Sequence, residues 1–133
     1  MDDLDSKAVR QRPKILLVDD DPSVRTIARR MIERLGYEVA TAENGEEAIA
    51  RFVEARAAGA QFHAVILDRA LPGGEGGPEI LRRIREIDPD VPAILCSGYA
   101  DGLHDDAGFD ATIPKPFRLH DLRNVLGALT ARP

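Results

Sequence analysis

The stretch Ile15-Leu16-Leu17-Val18-Asp19-Asp20-Asp21-Pro22 joins a continuous apolar run to three consecutive acids. A short apolar run without alternation is typical of a strand buried on both faces of a parallel sheet. Neighbouring carboxylates repel one another unless a cation or a helix N-terminus compensates their charge. Because Asp21 precedes Pro22, we interpret it as the N-cap of a helix. Asp19 and Asp20 have no such role, and we predict that they bind Mg²⁺.

Predicted strands and helices alternate along the rest of the chain. The predicted strands are 14–18, 37–42, 62–67, 92–96 and 111–113. The apolar spacing of the first two helices places Ile27 and Val53 among the residues facing the core. Five β–α units predict an α/β fold with a doubly wound, five-stranded parallel sheet and helices on both faces. We expect the fourth helix to be shortened, because residues 98–110 leave room for only about two turns.

A carboxylate, a hydroxyl and an ammonium group, each able to take part in a reaction, follow three of these strands. Asp68 follows the third strand, Ser97 follows the fourth and Lys115 follows the fifth. Ligands of such sheets bind at the carboxyl ends of the strands, so we expect these residues to meet Asp19 and Asp20 there. A carboxylate can attack phosphorus, while a metal ion and a lysine neutralise the phosphoryl oxygens. The sequence therefore predicts a phosphoryl-transfer site.

Composition narrows the class of protein. The chain has 133 residues and a net charge of −5, and it lacks the basic face that nucleic-acid binding needs. We predict a flexible tail or linker over residues 1–12 and one domain over residues 13–131. The acidic start is not a signal peptide, and no apolar run has the roughly 20 residues that span a bilayer. We therefore expect a cytoplasmic protein without direct nucleic-acid binding or membrane insertion.

Four motifs, in this order, resemble those of response-regulator receiver domains. They are Ile15 to Pro22, Val65-Ile66-Leu67-Asp68 with Leu71-Pro72-Gly73, Leu95-Cys96-Ser97-Gly98-Tyr99, and Ile113-Pro114-Lys115-Pro116-Phe117. The resemblance covers about residues 13–131 and implies the CheY-like, flavodoxin-like receiver fold.

The resemblance implies a role for each of these residues. Asp68 would be the phosphoacceptor, Ser97 would hydrogen-bond the phosphoryl group and Lys115 would pair with it. The Mg²⁺ ligands would be Asp68, Asp20, Asp19 (largely through water) and the backbone carbonyl of Ala70. A histidine kinase or histidine phosphotransfer protein would donate the phosphoryl group. Beyond Mg²⁺-dependent self-phosphorylation and autodephosphorylation, no enzyme activity is implied.

Two details refine this interpretation. The turn from Leu71 to Gly77 and the stretch Ser97-Gly98-Tyr99 look most like the C-terminal receivers of hybrid sensor histidine kinases. The chain is then either a fragment of such a kinase or a stand-alone regulator, and we expect no output domain after Pro133. Receivers usually carry Tyr or Phe three residues before the lysine, where this chain has Thr112. We hypothesise that the Asp68 chemistry is intact and that the aromatic switch is absent.

Two other classes of protein are alternatives. A receiver-like binding module would keep the fold without phosphorylation, which Thr112 and the short fourth helix would favour. A metal-dependent hydrolase with an aspartate nucleophile usually has a second acid two residues later, and Ala70 occupies that position here. Failure to phosphorylate would indicate the first alternative, and steady turnover of phosphate esters the second.

Overall fold

The sheet lies at the centre of the computed structural model, which describes residues 12–71, 75–98 and 108–131. Along the chain the described elements are β1 (Lys14–Val18), α1 (Pro22–Arg34), β2 (Glu38–Ala42), α2 (Gly45–Ala57), β3 (Ala64–Asp68), α3 (Gly77–Ile87), β4 (Ala93–Ser97), β5 (Ala111–Pro114) and α4 (Leu119–Thr130). All strand pairs are parallel, in the order β2-β1-β3-β4-β5. The predicted doubly wound α/β fold is confirmed.

Two predictions fall largely on residues outside these ranges. They are the tail over residues 1–12, of which only Arg12 is described, and the shortened fourth helix between β4 and β5. Among the described residues, no helix has the length and apolar character needed to cross a membrane.

Local chemistry sets the ends of α1. Asp21 accepts hydrogen bonds from the backbone N–H of Ser23 (2.8 Å) and of Val24 (3.4 Å), which confirms its predicted role as N-cap. Past the C-terminus, Gly36 has φ of 102°, a left-handed conformation that glycine adopts without strain. Of the three acids before α1, Asp21 therefore caps the helix, while Asp19 and Asp20 lie at the end of β1.

The core forms one apolar layer on each face of the sheet. Alternate residues of β1 enter opposite layers, with Leu16 in one and Leu17 in the other. Phe52 of α2 and Ile84 of α3 pack in the first layer, and Ile32 of α1 packs in the second. Each such side chain contributes about 1.5–3 kcal/mol when fully buried. This burial on both faces explains why β1 has no polar alternation.

Two residues predicted to face the core are exposed instead. Ile27 of α1 is 60% exposed and Val53 of α2 is 47% exposed. A helix packed on a sheet buries a stripe roughly 100° wide, and residues at its margin turn towards solvent. In α2 the buried stripe continues through Phe52 to Ala55 rather than to Val53. The apolar spacing was compatible with either margin, and the packing selected one.

Candidate functional site

Three carboxylates meet at the carboxyl edge of the sheet. Asp19 directly follows β1 and Asp68 is the last residue of β3, which is the neighbour of β1. Asp20 is exposed beside them, and one carboxylate oxygen from each of the three lies within 4.8 Å of the others. Asp19 and Asp68 are only 1% and 6% exposed. The parallel topology therefore brings the predicted acids together.

The fifth strand carries a lysine to the same place. Lys115 Nζ lies 2.9 Å from Asp19 Oδ2 and 3.0 Å from Asp68 Oδ2. Burial lowers the pKa of Lys115, but its close contacts with these two carboxylates more than offset that effect and raise it. Lys115 therefore remains an ammonium and balances one of three carboxylate charges. The two remaining negative charges match a divalent cation.

Burial and neighbouring charges act in opposite directions on Asp68. Burial raises the pKa of this carboxyl, while the hydrogen bond and charge of Lys115 lower it, and the net shift is upward. Its Oδ2 accepts from Lys115 Nζ at 3.0 Å, and its Oδ1 accepts from the backbone N–H of Ala70 at 3.4 Å. Both carboxylate oxygens are thus oriented by neighbours within the site.

Asp19 is held by its backbone and by one side-chain oxygen. Oδ1 accepts from the N–H of Asp21 at 2.9 Å. Oδ2 is buried and, although Lys115 Nζ is close, it accepts no well-directed hydrogen bond from the described residues. A buried oxygen with spare acceptor capacity beside two further carboxylates fits a hard, oxygen-binding cation such as Mg²⁺.

Ser97 and Ala70 lie next to this cluster. Ser97 is the half-buried last residue of β4, and its carbonyl accepts from the N–H of Lys115 at 3.1 Å. Ala70 follows Asp68 by two residues. Across the β3–β4 pair, Asp68 is opposite Cys96, whose thiol has a pKa raised well above its ordinary value, mainly by burial. A buried thiol of this kind is unreactive, in agreement with its apolar sequence context.

Arg25 of α1, for which the sequence predicts no role, contacts the backbone of the first acid. Its Nη1 donates to the carbonyl oxygen of Asp19 at 2.8 Å, and its Nη2 lies 3.9 Å from Glu43 on the next loop. The carbonyl is thereby fixed where the chain leaves β1. A basic residue one turn into the helix after the acids was the one signal available, and it is too common to identify such a contact.

The fold and site are those of a receiver domain in two-component signalling, a class of domain that is not a conventional enzyme. Residues 15–127 match the family described as "Response regulator receiver domain", and the chain belongs to that family. The cluster of Asp19, Asp20 and Asp68 is typical of a phosphoaspartate and Mg²⁺ site.

Curated relatives include proteins of very different length. The chain is 37% identical over 123 residues to the transcriptional regulatory protein ResD of Bacillus subtilis, covering 90% of this chain and 48% of ResD. The chain is 35% identical to the response regulator receiver protein CpdR of Brucella abortus, and the match covers 85% of this chain and 92% of CpdR. It is also 36% identical to the sensor kinase CckA, covering 84% of this chain and 12% of CckA. The chain spans about half the length of several curated relatives, including ResD.

Solved structures agree with this assignment. A response regulator receiver domain protein from Clostridium thermocellum has a TM-score of 0.80 at 28% identity, covering 90% of this chain and 95% of that one. The response regulator TrrA of Thermotoga maritima, in complex with Mg²⁺ and BeF, has a TM-score of 0.76 at 33% identity, covering 88% and 98%. TrrA has also been solved in complex with the histidine kinase ThkA.

Proposed function

We propose that this chain accepts one phosphoryl group on Asp68 from the phosphohistidine of a histidine kinase or histidine phosphotransfer protein. One observation carries the proposal: Lys115 Nζ lies 3.0 Å from Asp68 Oδ2 and 2.9 Å from Asp19 Oδ2, beside a third carboxylate. In the transfer, a carboxylate oxygen of Asp68 forms a bond to phosphorus. The P–N bond of the donor breaks, and its electron pair returns to the imidazole nitrogen.

The proposed Mg²⁺ ligands are Asp19, Asp20, Asp68 and the backbone carbonyl of Ala70. When bound, Mg²⁺ would offset the negative charge on the phosphoryl oxygens. Asp19 and Asp68 are held ready for this role by the backbone N–H groups of Asp21 and Ala70. Little reorganisation is then needed when the cation enters.

Lys115 and Ser97 are the proposed contacts to the transferred group. The Lys115 ammonium already touches the Asp68 carboxylate and remains charged, so it can pair with a phosphoryl oxygen as the P–N bond breaks. Ser97 ends the strand next to β3, and its hydroxyl is proposed to donate to another phosphoryl oxygen. Both side chains act by binding and orienting rather than by transferring a proton.

For the wider protein we propose a receiver domain over residues 13–131, preceded by a tail or linker over residues 1–12. The sequence of the turn after Asp68 supports a receiver like those at the C-terminus of hybrid sensor kinases. The similarity to CckA is compatible with that origin, and the similarity to CpdR is compatible with a stand-alone regulator. The proposed phosphodonor, a kinase or phosphotransfer protein of two-component signalling, supports a cytoplasmic location.

We also propose that the output of this receiver does not use an aromatic switch. Thr112 is an exposed residue of β5, opposite Leu95 of β4. Its side chain is too small to replace an aromatic ring that moves between an outward and an inward position. On addition of Mg²⁺ and beryllofluoride, amide chemical shifts should change around Asp68 and little along α4. Large shifts along β5 and α4 would contradict this proposal.

Intact-mass measurement tests the main proposal. The chain and its Asp68→Asn variant are incubated with acetyl phosphate and Mg²⁺, with and without a chelator. We expect one phosphoryl group on the wild-type chain, lost in the variant and in chelator. If the wild-type chain binds Mg²⁺ but gains no phosphoryl group from either acetyl phosphate or a histidine kinase, the chain is a phosphorylation-independent binding module instead.

A further inference from the structure

The start of α3 packs closely onto the backbone beside Asp68. Gly77 N–H donates to the carbonyl of Arg69 at 3.1 Å. A Cβ on Gly77 would lie 2.7 Å from the carbonyl oxygen of Asp68, and one on Gly76 would collide with the carbonyl oxygen of Arg69. Only glycine allows such an approach. The start of α3 therefore packs directly on the residues that precede Ala70.

A second contact anchors the same connection from outside the site. Both carboxylate oxygens of Glu75 lie 2.8 Å from Arg83 Nη1, and Arg83 Nη2 lies 3.3 Å from Glu46 of α2. The Glu75 carboxylate rests against Gly45, the first residue of α2, where a Cβ would collide with it. There the positive end of the helix favours a carboxylate. Glu75 is thus held by two helices at once.

We propose that the Glu75–Arg83 pair, seated on Gly45, is a positioning device that fixes the backbone of Ala70 for Mg²⁺ binding. The inference rests on the proposed function, in which the Ala70 carbonyl is a ligand of the metal. Gly76 and Gly77 follow Glu75 and lie against the carbonyls of Arg69 and Asp68, so movement at Glu75 reaches Ala70 through these backbone contacts. The two side chains are 31% and 36% exposed, and such pairs contribute little to folding stability. We therefore expect loss of this pair to change the Mg²⁺ dissociation constant more than the free energy of unfolding.

If the Glu75–Arg83 pair acted only through its charges, substitutions would change Mg²⁺ affinity differently than if the pair positions the backbone. Arg83→Gln removes a positive charge near an acidic site, which by charge alone would strengthen Mg²⁺ binding. Glu75→Gln removes a negative charge, which by charge alone would weaken it. If the pair positions the connection, both substitutions weaken binding. Gly45→Ala displaces the Glu75 carboxylate without changing any charge, so it separates geometry from electrostatics directly.

The experiment measures the Mg²⁺ dissociation constant of the unphosphorylated full chain by isothermal titration calorimetry. We expect Arg83→Gln, Glu75→Gln and Gly45→Ala each to raise it about 3- to 10-fold, less than loss of a direct neighbour of a metal ligand would cost. The double variant Glu75→Gln with Arg83→Gln should bind Mg²⁺ no more weakly than the weaker-binding single variant. Each single substitution already removes the same Glu75–Arg83 contact. The control is Arg29→Gln on α1, whose side chain is 52% exposed and pairs with Glu33 of the same helix. It should stay within about twofold of wild type.

The outcomes distinguish failure of the positioning role from failure of the proposed function. If the wild-type chain binds Mg²⁺ and Arg83→Gln binds it equally or more tightly, the positioning role is wrong and the proposed function stands. If the wild-type chain binds no Mg²⁺, both are wrong. Circular dichroism of each variant verifies that it is folded, and Arg83→Lys provides a folded substitute because it keeps the charge and loses the two-oxygen contact. A Gly45→Ala variant with wild-type affinity would also overturn the inference.

Discussion

At the scale of single residues, the site depends on a lysine placed between two buried carboxylates. Lys115→Met leaves Asp19 and Asp68 without their cation, so we predict a loss of about 1–3 kcal/mol in unfolding free energy. This is less than for a fully buried pair, because the Lys115 side chain is 25% exposed. Urea denaturation at pH 7 without divalent ions measures the loss. As control, Lys14→Met removes an ammonium 5.0 Å from the Phe62 ring and should cost below about 1 kcal/mol. Equal losses in both variants would contradict the account.

Two adjacent acids should respond differently to substitution by asparagine. Mg²⁺ at about 100 times its dissociation constant should stabilise the wild-type chain by about 2.7 kcal/mol. Asp20→Asn should lose most of this gain, because Asp20 is a proposed ligand. Asp21→Asn should keep it, because asparagine is also a good N-cap for the N–H groups of Ser23 and Val24. Thermal unfolding with and without Mg²⁺ measures both, and a similar loss in the two variants would mean that charge alone matters.

The raised pKa of Asp68 predicts a particular pH dependence. Burial raises this pKa above its ordinary value of 3.8, so the folded chain holds the proton more tightly than the unfolded chain. The contribution of Asp68 to the free energy of unfolding therefore falls as the pH rises from 3.8 through the pKa of Asp68 in the folded chain. Asp68→Asn lacks this titration, so without Mg²⁺ the variant should gain stability relative to wild type across that window and hold the gain above it. Denaturation from pH 3.5 to 8 tests this; a difference that shrinks as pH rises would contradict it.

At the scale of elements, Asp110 joins the starts of β4 and β5. Its Oδ2 accepts from the N–H of Ala93 at 2.8 Å and from Arg85 Nη2 at 3.4 Å, and its own N–H donates to the Ala93 carbonyl at 2.8 Å. Asp110→Ala leaves the Ala93 N–H without this acceptor, so we predict a loss of about 1–2 kcal/mol in urea denaturation. Asp110→Asn retains an acceptor and should lose less. As control, Asp90→Ala at an exposed position should change stability by less than about 0.5 kcal/mol.

Element types were predictable from sequence, while some boundaries and faces were not. The apolar run of β1 and the Asp21-Pro22 start of α1 are local signals, and both were confirmed. The third strand was expected from residue 62, but β3 begins at Ala64. Phe62 is buried by stacking on Phe52, with ring centroids 6.0 Å apart, rather than by strand pairing. Sequence shows that a residue is apolar, and tertiary packing decides what buries it.

At the scale of the whole molecule, topology made the acidic cluster predictable. Right-handed β–α–β connections place the carboxyl ends of parallel strands at one edge, so residues as distant as Asp19, Asp68 and Lys115 were expected to meet, and they do. The proximity of these residues is observed, whereas the role of each one in phosphoryl transfer or Mg²⁺ binding remains a prediction, as do the roles of Ser97 and of the Ala70 carbonyl.

The contacts of Arg25 and of Glu75 with Arg83 were not predicted. They depend on the relative placement of separate loops and helices, which no local pattern encodes.

Chemical trapping of the modified residue tests whether Asp68 is the phosphoacceptor. The chain is phosphorylated with Mg²⁺ and acetyl phosphate and then treated with borohydride, which reduces an acyl phosphate to the corresponding alcohol. Peptide mass spectrometry then locates the reduced side chain. We predict reduction at Asp68 alone, and none when Mg²⁺ is chelated. Reduction at Asp19 or Asp20, or a phosphorylated chain with no reduced aspartate, would contradict this prediction.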